Sequence, residues 1–227
     1  MRVTENTNWL SARHDLLAAE KAHKRASDDL ARKRRALPRV PVTRAYRFAA
    51  EDRSYVLADL FGPHSQLLVY HFMFPPEWEA GCPSCSFWVD NLEGLRPHLA
   101  ARDAQLVLTS SASTAQISAY QSRMGWTIPW LSEVDGDFGC DMGVRFTDAE
   151  RTDGTIAYNF GSSGFPVNEA PGLSVFAKEG EEIFLTYQTF ARGLEQFNAA
   201  YGLMDLLPKG RDEGGKGMAW LRRRDDY

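Results

Sequence analysis

Two cysteines three positions apart, in Cys82-Pro83-Ser84-Cys85, are the residues of this chain best suited to chemistry. They follow the apolar run Leu67-Leu68-Val69-Tyr70-His71-Phe72-Met73-Phe74 and open a helical pattern, so a strand delivers them to the start of a helix. A helix N-terminus offers unpaired N–H groups and a partial positive charge, which favour thiolate over thiol at the first cysteine. The two-residue spacer keeps the second sulfur within reach of a mixed disulfide formed on the first. The chemistry that fits is thiol–disulfide exchange. Cys82 would be the nucleophile, its pKa lowered from about 8.5 into a range of about 3.5–7.5, and Cys85 the resolving thiol. Pro83 and Ser84 carry no charge, so the spacer leaves the direction of electron flow open.

Other chemistries fit less well. A zinc site would combine Cys82 and Cys85 with Cys140 and a histidine, His71 or His98, yet no second CxxC or HxxxH stands at ligand spacing. A thiol peroxidase-like enzyme is an alternative; its chemistry needs an Arg and a Thr or Ser arranged about the reactive cysteine, and no convincing version of that pattern stands next to Cys82. Cys140 reads as a small buried residue. No metal and no organic cofactor is expected.

Composition narrows the partners. The 227-residue chain is 44% hydrophobic, enough for one α/β domain with extensions. A net charge of -4 gives no support to nucleic acid or an anionic membrane as partner. No apolar segment follows the amino-terminal residues as in a secretory signal, and none approaches the roughly 18 apolar residues that span a bilayer. Three cysteines, two of them in one CxxC, make no disulfide framework. These features point to a cytoplasmic protein whose partner is a thiol or disulfide, carried by a protein or a small molecule.

Residues 9–36 lack Gly and Pro and predict one helix; its Lys and Arg runs, interrupted by Glu20, Asp28 and Asp29, read as a solvated face. Pro38 and Pro41 close an amino-terminal helical extension, residues 1–41. Tyr46–Phe48 and Ser54–Leu57 predict a hairpin turning at Glu51-Asp52, and Ala58–Phe61 a helical turn ending at Gly62-Pro63. The run 67–74 is too uniformly apolar for a sheet edge and predicts a central strand. Trp88, Leu92, Leu95 and Leu99 mark the buried face of the cysteine helix, kinked at Pro97.

Gln105–Thr109 predicts a second buried strand. Ser113 and Gln116 form a capping box for a helix with Ile117, Tyr120 and Met124 inward and Gly125 at its end. Residues 132–170, rich in Gly, Asp and Ser, read as a long insertion. Leu173–Ala177 and Ile183–Tyr187 predict a hairpin, and Gly193–Met204 a last helix with Leu194, Phe197, Tyr201 and Met204 on one face. A βαβα half joined to a ββα half is the plan of a thioredoxin-like domain: three layers, with a central mixed sheet flanked by helices. It would span residues 42–207, leaving 208–227 as a polar carboxy-terminal tail. The amino-terminal helix and this tail are the candidate surfaces for contact with a second copy.

Several stretches together carry a family resemblance: His71-Phe72-Met73-Phe74, Gly81-Cys82-Pro83-Ser84-Cys85-Ser86, Met124-Gly125-Trp126 with Pro129-Trp130, Tyr158-Asn159-Phe160, Tyr187–Gly193 and Leu206–Glu213. In these the chain resembles the bacterial family DUF899, thioredoxin-like proteins taken to be dithiol–disulfide oxidoreductases. The resemblance extends over nearly the whole chain and implies a thioredoxin fold with a redox-active CxxC. It names no substrate. Two departures from an ordinary thioredoxin stand out: the seven residues Pro75 to Gly81 between strand and Cys82, and the insertion 132–170.

Four further residues are candidates for contact with a substrate. Pro171 directly precedes the strand Leu173–Ala177, where thioredoxin-like proteins place a cis proline facing the CxxC; Pro129 and Pro166 compete for that role. Trp78 is the expected exposed aromatic of the active loop, ahead of Trp126 and Trp130, while Trp88 lies on the helix stripe. Pro83 and Ser84 lie between the cysteines. The rival to an enzyme is a binding or scaffold module that keeps the fold.

Overall fold

The computed structural model describes residues 6–51, 53–161 and 165–227. Contacts divide the chain into two units, one ending at Arg39 and one beginning at Val40. The first is a single helix, α1 (Thr7–Arg35), with none of its residues buried. The Asn6 side chain caps it by accepting the Trp9 N–H at 2.9 Å. Arg32, Lys33, Arg34 and Arg35 complement the negative end of the helix dipole in its last turn.

The second unit is built on a mixed sheet. Its strands are β1 (Val40–Pro41), β2 (Arg47–Ala49), β3 (Ser54–Val56), β4 (Gln66–His71), β5 (Ala104–Ser110), β6 (Trp130–Glu133), β7 (Gly172–Glu179) and β8 (Glu182–Phe190). The sheet order is β1-β8-β7-β4-β5-β6-β2-β3. β4, β5 and β6 run parallel, while β7 pairs antiparallel to β4 and β8 antiparallel to β7. Two helices, α2 (Pro83–Leu92) and α3 (Arg96–Ala100), connect β4 to β5, and α4 (Thr114–Met124) connects β5 to β6. This is the thioredoxin-like three-layer fold, extended by β6, β2 and β3 beyond β5 and by α1 before the domain. Among the described residues no helix is long and apolar enough to cross a membrane.

The uniform apolarity of β4 and β5 follows from burial on both faces. Tyr70, Leu106 and Leu108 pack with Val89, Ile117 and Tyr120 under α2 and α4. Leu67, Val69 and Val107 face the other way, onto Phe48, Leu60, Phe138 and Phe176. One face therefore carries the cysteine helix, and the other carries the segment that follows β6.

Several local expectations give way to tertiary context. The strand expected to reach Phe74 leaves the sheet after His71, because the Phe74 N–H turns to a side chain, Glu169, in place of a neighbouring strand. The kink expected at Pro97 is a break: α2 ends at Leu92, a short 3-10 turn spans Glu93–Leu95, and Pro97 sits in the first turn of α3, where its missing N–H costs nothing. Leu95 consequently faces solvent.

The last helix is likewise split. A 3-10 segment, Ala191–Phe197, is followed by Ala199–Met204, whose cap is Asn198 accepting the Tyr201 N–H at 3.0 Å. The interruption rotates Phe197 out to solvent, while Leu194 and Tyr201 stay buried. The insertion is partly regular, with β6, α5 (Asp137–Asp141) and α6 (Asp148–Thr152). Residues 208–227, read from the sequence as a polar tail, include the buried Leu221 and pack on the domain's own α2 and α4.

Candidate active site

Cys82 caps α2 and Pro83 is its first helical residue, the position where a residue without an N–H fits best. Cys82 is half-buried, and Cys85, one turn into the helix, is fully buried. Both are free thiols. The Cys82 pKa falls from its ordinary value to about 7, chiefly because the Cys85 thiol hydrogen-bonds its thiolate; burial opposes this, and the N–H groups of Cys85 and Ser84 add to it. Neither N–H makes a regular cap bond, yet both direct positive charge at the sulfur. Burial pushes Cys85 well up, and the neighbouring Cys82 pushes it further. The two sulfurs are thus differentiated: an accessible thiol that ionises near neutrality, and an interior thiol that keeps its proton.

Tyr70, at the end of β4, lies beneath them. Its buried hydroxyl has no regular hydrogen-bond partner among the described residues and interacts with the Cys85 thiol. Burial, then the charge of Cys85, raises its pKa well above the ordinary value.

The backbone of Cys82 is held on both sides. Its N–H donates to Met73 O at 3.2 Å, and its carbonyl accepts from Ser86 N–H at 2.9 Å and Ser86 Oγ at 2.8 Å. Ser86 Oγ lies 2.8 Å from the Tyr120 hydroxyl. The longer loop before Cys82 is tied down by side chains from distant elements. Glu169 Oε2 accepts the Phe74 N–H at 3.0 Å. Gln116 Nε2 donates to Pro76 O at 2.9 Å and to Trp78 O at 3.1 Å. Gln116 Oε1 meanwhile accepts the Ser113 N–H at 3.0 Å, so one side chain closes the capping box of α4 and pins the active loop. Gly81 has no room for a Cβ, which would lie 2.6–2.8 Å from the rings of Phe72 and Tyr120.

Behind the loop lies a buried ionic cluster. Arg145 Nη2 is 3.3 Å from Glu133 Oε2 and 3.4 Å from Glu169 Oε1. Burial raises both carboxyl pKa values against the pull of the guanidinium. His71 is buried beside it with Nε2 2.8 Å from Ser174 Oγ, and burial followed by the charge of Arg145 lowers its pKa to about 3.

The remaining sequence candidates fall as follows. Trp78 is half-buried and packs on the core, while Pro83 and Ser84 are half-buried at the helix start. Trp126 and Trp130 are both buried, donating to Asp90 Oδ1 at 2.8 Å and Ser110 Oγ at 3.0 Å, and the cavity that Trp130 lines with Ala50, Ile117 and Gln121 includes neither Cys82 nor Cys85. The cis proline expected at Pro171 is not found, since every peptide bond among the described residues is trans, those before Pro129 and Pro166 included. The Pro171 carbonyl accepts the Tyr158 hydroxyl at 2.6 Å, and so is engaged within the chain. Cys140, expected to be buried, is exposed on α5, and His98 is exposed on α3. Among the described residues no three His, Cys, Asp or Glu side chains are grouped to hold a metal.

Sequence reasoning missed Tyr70, Tyr120 and Glu169 as parts of the site. Gln116 was legible through its capping box, though only for its local task.

The family model described as "Bacterial protein of unknown function (DUF899)" matches residues 1–227. No curated protein is detectably similar to the chain. Similar solved structures include the peroxidoxin BcpB of Mycobacterium tuberculosis, 13% identical, covering 72% of this chain and 96% of that one with a TM-score of 0.46. A C84S mutant of peroxiredoxin Q from Xanthomonas campestris is 15% identical, covering 71% and 90% with a TM-score of 0.43. A hypothetical protein from Sinorhizobium meliloti 1021 is 14% identical, covering 67% and 70% with a TM-score of 0.43.

Proposed function

We propose, for a chain that belongs to the bacterial DUF899 family, that Cys82 and Cys85 form the redox centre of a dithiol–disulfide oxidoreductase. The observation that carries this reading is the division of labour between the two thiols: Cys82 only partly buried at the N-terminus of α2 with its pKa brought to about 7, Cys85 fully buried one turn below and hydrogen-bonded to it. Structural cysteines gain nothing from that asymmetry, whereas exchange requires it.

The reaction runs in two displacements. The Cys82 thiolate attacks one sulfur of a substrate disulfide, forming a Cys82 mixed disulfide and expelling the other sulfur as a thiolate that takes a proton from water. Cys85 Sγ then attacks Cys82 Sγ, breaking the mixed disulfide, and its proton passes to the second substrate thiolate as that sulfur is released. The substrate gains two electrons, and the protein is left with a Cys82–Cys85 bond. An external dithiol then reverses the sequence to restore the reduced protein. The early formation of the thiolate costs little at neutral pH, because only Cys82 must ionise before encounter. Trp78, Pro83 and Ser84, half-buried around Cys82, form the rim on which the substrate rests.

Capture on Cys85→Ser tests this. Without the resolving thiol, Cys82 should retain a mixed disulfide with a model substrate such as oxidised glutathione or a disulfide-containing peptide, seen as a mass increase on the Cys82 peptide. Cys82→Ser should retain none. Equal labelling of the two variants would sink the reading, and rapid turnover of a hydroperoxide with no disulfide exchange would replace it.

A further inference from the structure

The carbonyl immediately before Cys82 is held from the far end of the chain. Arg223 donates to Gly81 O from Nη2 at 2.9 Å and from Nε at 3.1 Å. The N–H of the same peptide unit, that of Cys82, is bound to Met73 O. The peptide plane leading into Cys82 is therefore fixed at both ends, by the extension of β4 and by a guanidinium. Arg223 also interacts with the Tyr120 hydroxyl, which reaches Ser86 Oγ and through it the Cys82 carbonyl. A ring of contacts thus runs from Gly81 through Arg223, Tyr120 and Ser86 to the far side of Cys82.

The segment that carries Arg223 is itself anchored on the two helices beside the site. Arg123 of α4 donates from Nε to Asp225 Oδ2 at 2.6 Å, and from Nη2 to Asp225 Oδ1 and Asp226 Oδ1, each at 3.1 Å. Arg224 Nη1 lies 3.3 Å from Asp90 Oδ1 on α2. Leu221 is buried, and Trp220 meets Phe87 of α2 edge-on at 5.9 Å. Single surface ion pairs contribute little. Here several converge on one short segment, together with a buried apolar contact.

We propose that Arg223 is a positioning residue for Cys82, and that residues 221–227 are a clasp that must close on α2 and α4 to hold the nucleophile for attack. The proposal rests on Cys82 being the attacking thiol. With the clasp open, the 81–82 peptide loses its carbonyl anchor beside a glycine, the residue least able to resist rotation. Cys82 Sγ then drifts from Cys85 and from the N–H groups of α2. Lysine offers a charge without the planar fork that gives two bonds to one carbonyl, so it substitutes only in part.

The test follows the rate of Cys82 alkylation by iodoacetamide against pH, on full-length reduced protein with Cys140→Ser to remove the other accessible thiol. Arg223→Gln should move the midpoint up by about one unit and cut the rate at pH 7 about fivefold, with Arg223→Lys between it and the parent. A role confined to stability would lower the melting temperature and leave the midpoint in place. An unchanged midpoint in folded Arg223→Gln therefore overturns the proposal. Should that variant fail to fold, Arg123→Gln releases Asp225 and Asp226 without touching the loop. An upward shift there supports the clasp; an unchanged midpoint with residues 221–227 newly open to protease refutes it. Failure of the redox reading is separately visible, because the Cys82–Cys85 bond would then never form in glutathione buffers although alkylation still responded to Arg223.

Discussion

Met73 and Cys82 are joined by a backbone hydrogen bond across the active loop, from Cys82 N–H to Met73 O at 3.2 Å. The N–H on the other side of that Met73 peptide belongs to Phe74 and donates to Glu169 Oε2 at 3.0 Å. One peptide group therefore links a buried carboxyl to the backbone of Cys82, and such chains of hydrogen bonds strengthen one another. A loop longer than in ordinary thioredoxins is held in place because it is tied at Phe74, Pro76, Trp78, Gly81 and Cys82.

Gly81→Ala probes that fit. Its Cβ would meet the Phe72 and Tyr120 rings at 2.6–2.8 Å, too close without moving the loop or the aromatic cluster. Stability in urea should fall by about 1–3 kcal/mol, with slower alkylation of Cys82. Unchanged stability together with unchanged alkylation would show that the loop is not confined as described.

Arg145→Met leaves Glu133 and Glu169 buried without their shared cation. The expected loss near pH 8 is about 3–5 kcal/mol. Both carboxyls have folded-state pKa values raised by burial, so they favour folding below their unfolded pKa and lose that contribution as pH rises. The deficit of the variant should therefore shrink from pH 8 to pH 5 in urea titrations. A deficit independent of pH would contradict the buried cluster.

His71 sets an acid limb of stability. Its folded pKa is lowered to about 3 by burial and then by Arg145, whereas the unfolded side chain titrates near 6.5. The unfolded state therefore takes up the proton first, and stability falls as pH drops from about 6.5 to 3, by about 4–5 kcal/mol over the full window. Glu133 and Glu169 act in the opposite sense. The difference between wild type and His71→Asn isolates the histidine, and the variant should lack this limb. Parallel pH profiles for the two proteins would show that His71 is not held neutral.

Much of the fold was legible because its signals are local. The 67–74 run, the Ser113–Gln116 capping box and the hairpin around Gly180 each declare an element through periodicity, capping or turn chemistry. β6 was not, because Ser132 and Glu133 are polar yet buried, Glu133 facing Arg145, so no apolar pattern marks that strand. Phe197 was assigned to a buried face by counting along one helix, and the Asn198 cap breaks that count. At the site, Cys82 and Cys85 stand out by spacing alone. Glu169 and Arg223 do not, since each reaches the loop from a remote part of the chain and is an ordinary charged residue in its own neighbourhood.

Whether Cys82 and Cys85 form a reversible redox pair is read by equilibrating the full-length protein in glutathione buffers of graded potential, quenching with acid, alkylating free thiols and mapping the peptides. A single two-electron transition should link Cys82 to Cys85 and leave Cys140 outside the bond. Cys82 and Cys85 remaining reduced across the whole range, or a bond joining either of them to Cys140, would contradict it.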